Sequence, residues 1–247
     1  MSSSDTIRQA IGVVNAQRAQ SAQNPGLRQA VQAVKAFQAA RFRTTYADLL
    51  ANARFRPAVL FFLNELYCDK DYALRDAQFV RIASPLERLF PHSVVDTAVA
   101  MAELHAVTEQ LDTALAHACL ALAPGDTIAT PLDTRRYVQA WQHTGRRAER
   151  DFQLATVLRV GHDLSDFTRK RGLRTLLRMM RGPAKASGMG ALQNFLEAGF
   201  DTFGELSTQG DAAQAFLAHV AERESTLIET LFTASVDQGV QALGGAD

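Results

Sequence analysis

The chain has 247 residues, 47% apolar and 21% charged, which supplies a sizeable core and excludes global disorder. Its 26 basic and 26 acidic residues cancel, which argues against nucleic-acid binding through bulk charge. Cys68 and Cys119 form no CxxC or CxxxH spacing, so neither a zinc site nor a disulfide framework is suggested. Two buried free thiols in a reducing cytoplasm are expected instead. The opening residues Met1 to Asp5 lack the basic and apolar regions of a signal peptide, and no run reaches transmembrane length. The expected location is the cytoplasm.

Helical periodicity runs almost throughout, with no hairpin turn and no sustained alternation of β-branched residues. A first helix is expected from near Ser4 to Gln20. Asn24 then caps a second, with Pro25 at its first position. The stripe of this helix reads Leu27, Ala30, Val31, Val34, Phe37, Gln38 and Arg41, fading at its end. Thr45 to Asp48 resembles a capping box opening a short helix through Leu50. Pro57 to Tyr67 is apolar on all sides and too short to span a bilayer, so it reads as a central helix buried all round, with Phe61, Phe62, Leu63 and Leu66 in the core. Asp71 caps a segment to Ile82, and Ser84-Pro85 restarts one to Phe90. The longest run, Val94 to Leu122, carries Met101, Leu104, Thr108, Leu111, Leu115, Ala118 and Leu122 on its core side. Helices follow at Asp133 to Thr144, Ala148 to Lys170 and 173–181. A loop lies between Gly182-Pro183 and Ser187-Gly188, and helices at 189–206 and 211–242 complete the chain. No linker or fixed-period repeat is visible. The expectation is one all-α domain over 1–247, a multi-helix bundle around the Pro57 helix, with 1–44 at its periphery.

The heptapeptide Phe61-Phe62-Leu63-Asn64-Glu65-Leu66-Tyr67 resembles the signature of the bacterial FFLEELY-motif proteins, with Asn64 replacing an acidic residue and Cys68 standing where a glycine usually follows. Similar segments recur at Arg75-Asp76, Leu89-Phe90-Pro91, Glu103-Leu104-His105, Leu111-Asp112, Met180 to Ala184, Leu192 to Phe200 and Arg223-Glu224. The abundance of Ala and the 22 Arg against 4 Lys fit a bacterial, GC-rich source. The resemblance implies a helical fold and a bacterial origin. It transfers no catalytic residue.

His105, Glu109 and Asp112 stand at i, i+4 and i+7, on one stripe of one helix. Such a stripe can hold a metal if His162, Asp166 or Glu222 completes the shell from another helix, as in di-iron bundles. The Glu-x-x-His pairs of those bundles are absent. The same stripe can equally flank the core and make inter-helix hydrogen bonds. Haem needs an axial histidine, for which His92, His105, His117 and His162 are the nominal candidates. There is no Gly-x-Ser-x-Gly, P-loop or His-Glu-x-x-His.

Charge is distributed unevenly. Seven positive residues fall within the 17 from Arg169 to Lys185, and Arg171, Arg174, Arg178, Arg181 and Lys185 follow helical spacing. Leu173, Leu176, Leu177 and Met180 form the other face. Residues 187–247 carry nine acids against one Arg, with Glu197, Asp201 and Glu205 in one stripe. The basic stripe can pair with these acids, seat an acidic protein or second copy, or lie on an anionic membrane. The function expected first is a non-enzymatic cytoplasmic interaction or regulatory protein without cofactor. The alternatives are an iron- or haem-dependent helical-bundle oxidoreductase and a peripheral membrane protein acting through 169–185.

Overall fold

The structure, a computed structural model, describes residues 1–65, 72–122, 131–170 and 172–244. Among them the elements are helical and no strand occurs: α1 (Ser3–Gln23), α2 (Pro25–Thr45), α3 (Ala47–Ala51), α4 (Arg56–Glu65), α5 (Ala73–Leu89), α6 (His92–Ala121), α7 (Thr134–Thr144), α8 (Arg147–Arg169), α9 (Leu173–Met179), α10 (Arg181–Ala186), α11 (Gly190–Ser207), α12 (Ala212–Thr233) and α13 (Val236–Ala242). No helix of the described residues is long and apolar enough to cross a membrane.

Local chemistry explains most boundaries. Ser2 and Asp5 form a capping box that starts α1, and Asn24 accepts from the Leu27 N–H to start α2 with Pro25 at its first position. In α1, Ile7, Ala10, Ile11 and Val14 repeat at helical spacing and are all buried. The segment 1–44, read as peripheral, lies along α6, with α1 also against α5.

Four boundaries differ from expectation. Thr45 does not open α3. The second helix continues through it, and Asp48 instead receives both guanidinium nitrogens of Arg223 at 2.7 Å. Nor does Ser84-Pro85 restart a helix. Pro85 sits inside a continuous α5, where it removes one backbone donor, and packing of Ala83 and Leu86 against α1 and α6 carries the helix across the gap. Gly182-Pro183 does not begin a loop, because Pro183 falls in the first turn of α10, where a missing N–H is tolerated. Finally, 211–242 is two helices. Ser235 and Gln238 make a second capping box that ends α12 and starts α13.

The α6 helix lies against α1, α2, α7 and α8, and α8 in turn lies against α11 and α12. Gly161 permits that last approach, since a Cβ there would stand 2.5 Å from Leu217 Cδ2. The Pro57 helix, α4, is in the main core as expected. Ala58, Val59, Phe61, Phe62 and Leu63 are buried among Phe42, Phe195 and Phe216, while Leu60 on its remaining side is exposed, so the helix is not buried all round. Leu66, Tyr67, Cys68 and Asp71 lie outside the described residues. A second cluster joins α2, α6, α7 and α12 around Leu115, Tyr137 and Leu231, and a third joins α1, α5 and α6 around Ile7 and Leu86.

Candidate functional site: a cavity inside the bundle

Leu154 packs against the first and second clusters, and Phe79 against the first and third. Among these clusters lies a cavity of about 330 Å³, lined from α1, α2, α4, α5, α6, α7, α8, α9, α11 and α12. Ligand pockets of small-molecule binding proteins begin near this size, roughly 300 Å³. Most of the wall is apolar, with Phe61, Phe79, Met101, Leu164, Phe200 and Phe203 among its side chains. Polar groups line it in two places: Lys35, Gln38, Glu109, Asp112, Tyr137 and Arg150 where α2, α6, α7 and α8 meet, and Glu65, Arg75, Asp76, His105 and Gln193 on α4, α5, α6 and α11.

The 105–109–112 stripe of α6 lines this cavity, and each of its three side chains is held by another helix. The His105 Nε2 lies 3.0 Å from Asp76 Oδ2 on α5, which also sits 2.8 Å from Arg18 Nη1 of α1. Burial pushes the Asp76 carboxyl up, but His105 and Arg18 outweigh it and hold the group below its ordinary value. Glu109 Oε1 accepts from Lys35 Nζ at 2.7 Å, and Asp112 Oδ1 accepts from Gln38 Nε2 at 3.1 Å. Arg150, itself buried, stacks 4.1 Å over the Trp141 ring and donates to Gln153, which donates in turn to Thr108.

The stripe therefore makes inter-helix hydrogen bonds at all three positions. His162, Asp166 and Glu222 are exposed, and among the described residues no group of three or more His, Cys, Asp or Glu side chains is placed to hold a metal ion. Cys119 is buried and free, and burial pushes its thiol up to about 11, which suits a structural residue.

Asp112 is 2% exposed, as is Asp76, but here burial prevails and raises the carboxyl pKa against the opposing pull of Lys35 and Arg150. A carboxyl whose folded pKa is raised favours the folded state when protonated. That stability is complete below the unfolded carboxylate value and is lost as pH rises through the folded one. Asparagine reproduces the protonated shape without the ionisation. Asp112→Asn is therefore expected to abolish this loss, so that thermal denaturation at pH values above the ordinary carboxylate range shows a flatter pH dependence than wild type. A variant whose melting profile follows wild type at every pH would count against a buried, proton-favouring Asp112.

The basic stripe divides in two. Arg174 reaches Asp201 at 2.7 Å and Arg181 makes a two-nitrogen contact with Glu197, both on α11. Arg178 and Lys185 are exposed, and Arg171 lies outside the described residues. Leu173, Leu177 and Met180 turn toward the cavity and line it, while Leu176 remains 37% exposed.

A family model described as Domain of unknown function (DUF8198) matches residues 17–238. The chain belongs to the DUF8198 family. No curated protein and no solved structure matches it. In this DUF8198 chain the matched region contains the Phe61–Tyr67 heptapeptide, the 105–109–112 stripe and each cavity-lining residue named above.

Sequence reasoning missed Gln38, Asp76 and Arg150 as site residues. For Gln38 a signal existed: a glutamine within the apolar stripe of α2 must find a buried partner. For Arg150 there was none, because an arginine near a helix start ordinarily faces solvent.

Proposed function

We propose that this DUF8198 protein is a non-enzymatic binding and regulatory protein of the bacterial cytoplasm whose internal cavity holds an amphipathic small molecule. The observation that carries this reading is the cavity of about 330 Å³, apolar over most of its wall, with one of its two sets of polar groups where α2, α6, α7 and α8 meet. Well-packed interiors contain few voids larger than a water molecule, so a space of this size between three core clusters is a departure that a ligand accounts for. An elongated apolar body would lie against Phe61, Phe79 and Phe203, and a polar end would meet Lys35, Gln38 and Arg150. The polar groups there are engaged with one another: Lys35 with Glu109, Gln38 with Asp112, Arg41 with Glu224. That arrangement favours orienting a ligand over transforming it. The buried free thiol of Cys119 fits a reducing compartment.

The test is titration of purified protein with an environment-sensitive fatty-acid probe such as dansylated undecanoic acid. Saturable binding of one probe per chain is expected. Val157 lines the cavity from α8, and Val157→Trp fills part of the space. This variant is expected to lose probe binding while keeping or raising its melting temperature, because cavity filling commonly adds roughly 0.5–2 kcal/mol of stability. Non-saturable binding, or equal binding by a folded Val157→Trp protein, overturns the reading.

A further inference from the structure

The α9 helix forms part of the cavity wall, and its apolar arc is wider than the cavity needs. At 100° per residue Leu173, Leu177 and Met180 occupy one side, and these line the cavity. Leu176 and Met179 continue the same arc outward and are 37% and 71% exposed. The opposite flank carries Arg174 and Arg181, tied to Asp201 and Glu197 of α11. Beyond them stand two further cations, Arg178 and Lys185, both exposed and, among the described residues, in no ion pair. Backbone ties hold the segment in place: Gln193 Nε2 donates to the Leu177 carbonyl at 2.7 Å, and buried Gln78 donates to the Gly188 carbonyl and accepts from the Leu192 N–H, each at 2.8 Å.

We infer that the outer flank of α9 and α10 docks on an anionic lipid bilayer, with Leu176 and Met179 entering the headgroup boundary and Arg178 and Lys185 meeting acidic headgroups. Buried apolar area and attraction to anionic lipid together drive interfacial binding, and either alone is weak. On the outer side of α9 the exposed Met179 and its neighbour Arg178 bring the two together. An acidic protein would engage the two cations but leaves Met179 unexplained. The inference rests on the cavity reading in one respect: docking sets the cavity's outer wall against the lipid surface, the natural source of an apolar ligand.

The experiment is co-sedimentation of the full chain with vesicles of phosphatidylcholine alone or mixed with phosphatidylglycerol. Binding is expected only to the anionic vesicles, and molar salt is expected to release it. Arg178→Glu with Lys185→Glu should weaken partitioning by roughly thirtyfold or more. Leu176→Asp with Met179→Asp should abolish it while circular dichroism stays unchanged. Equal binding to both vesicle types, or variants that bind as wild type does, overturns the inference. So does capture of polyglutamate through Arg178 and Lys185 with vesicles ignored, which assigns the surface to an acidic protein. Uptake of the soluble dansyl probe is read on the same preparations. A protein that takes up probe but ignores vesicles loses the docking surface and keeps the cavity. One that docks but takes up no probe does the reverse.

Discussion

Phe62→Ala is expected to lower the free energy of unfolding by roughly 3–5 kcal/mol, read as a shift in denaturant midpoint at unchanged slope. Phe62 is 3% exposed and is surrounded by rings: it stacks with Phe42 at 5.9 Å, and meets Phe61 and Phe216 edge-on at 6.3 and 5.5 Å. Truncation removes those contacts and adds volume to a region that already borders the cavity. Collapse of the neighbours is hindered because each belongs to a different helix: α2, α4 and α12. A shift corresponding to less than about 1 kcal/mol would mean that α4 is not part of the cooperative core.

The second large effect concerns charge. Arg41 and Glu224 pair with side chains only 10% and 12% exposed, and Tyr46, fully buried, donates its hydroxyl to the same Glu224 oxygen at 3.0 Å. Arg41→Met strips the carboxylate of its main counter-charge while leaving it out of water, and is expected to cost roughly 3–5 kcal/mol. Glu224→Leu is expected to be costly for the mirror reason. The double variant, which replaces both charges with apolar groups, should recover part of that loss but stay roughly 1–3 kcal/mol below wild type, because the buried Tyr46 hydroxyl loses its Glu224 acceptor. Urea denaturation of the four proteins closes the cycle. A coupling energy below about 0.5 kcal/mol would show the two sites to be independent and the pair to be solvated.

How far the sequence reaches differs between local and long-range features. Asn24-Pro25 marks the start of α2 because a cap is a three-residue interaction. The Thr45 box fails because Arg223, 175 residues from Asp48, competes for the carboxylate. Pro85 misleads for a similar reason: a penalty local to one backbone bond is outweighed by side chains packed on two other helices. The Ser235–Gln238 box was readable from its spacing and was passed over within a longer apolar run. In the site, the i, i+4, i+7 stripe of α6 was legible as a stripe, and its partners were not. Nothing near His105 in sequence announces Asp76 or Arg18, and Gln38 meets Asp112 across 74 residues. The cavity itself has no sequence signature. A void is what remains when helices distant along the chain fail to fill the space between them, and periodicity records only which face turns inward.

An internal space also changes how the molecule responds to being squeezed. Unfolding floods such a space with solvent, so the system shrinks, and hydrostatic pressure pushes the equilibrium toward the unfolded chain in proportion to the volume eliminated. Whatever part of the roughly 330 Å³ excludes water, against Phe61, Phe79 and Phe203, makes this protein soft in that sense. An occupant that fills the space removes much of the volume change. Compressibility thus becomes a readout of occupancy that requires no knowledge of what the occupant is.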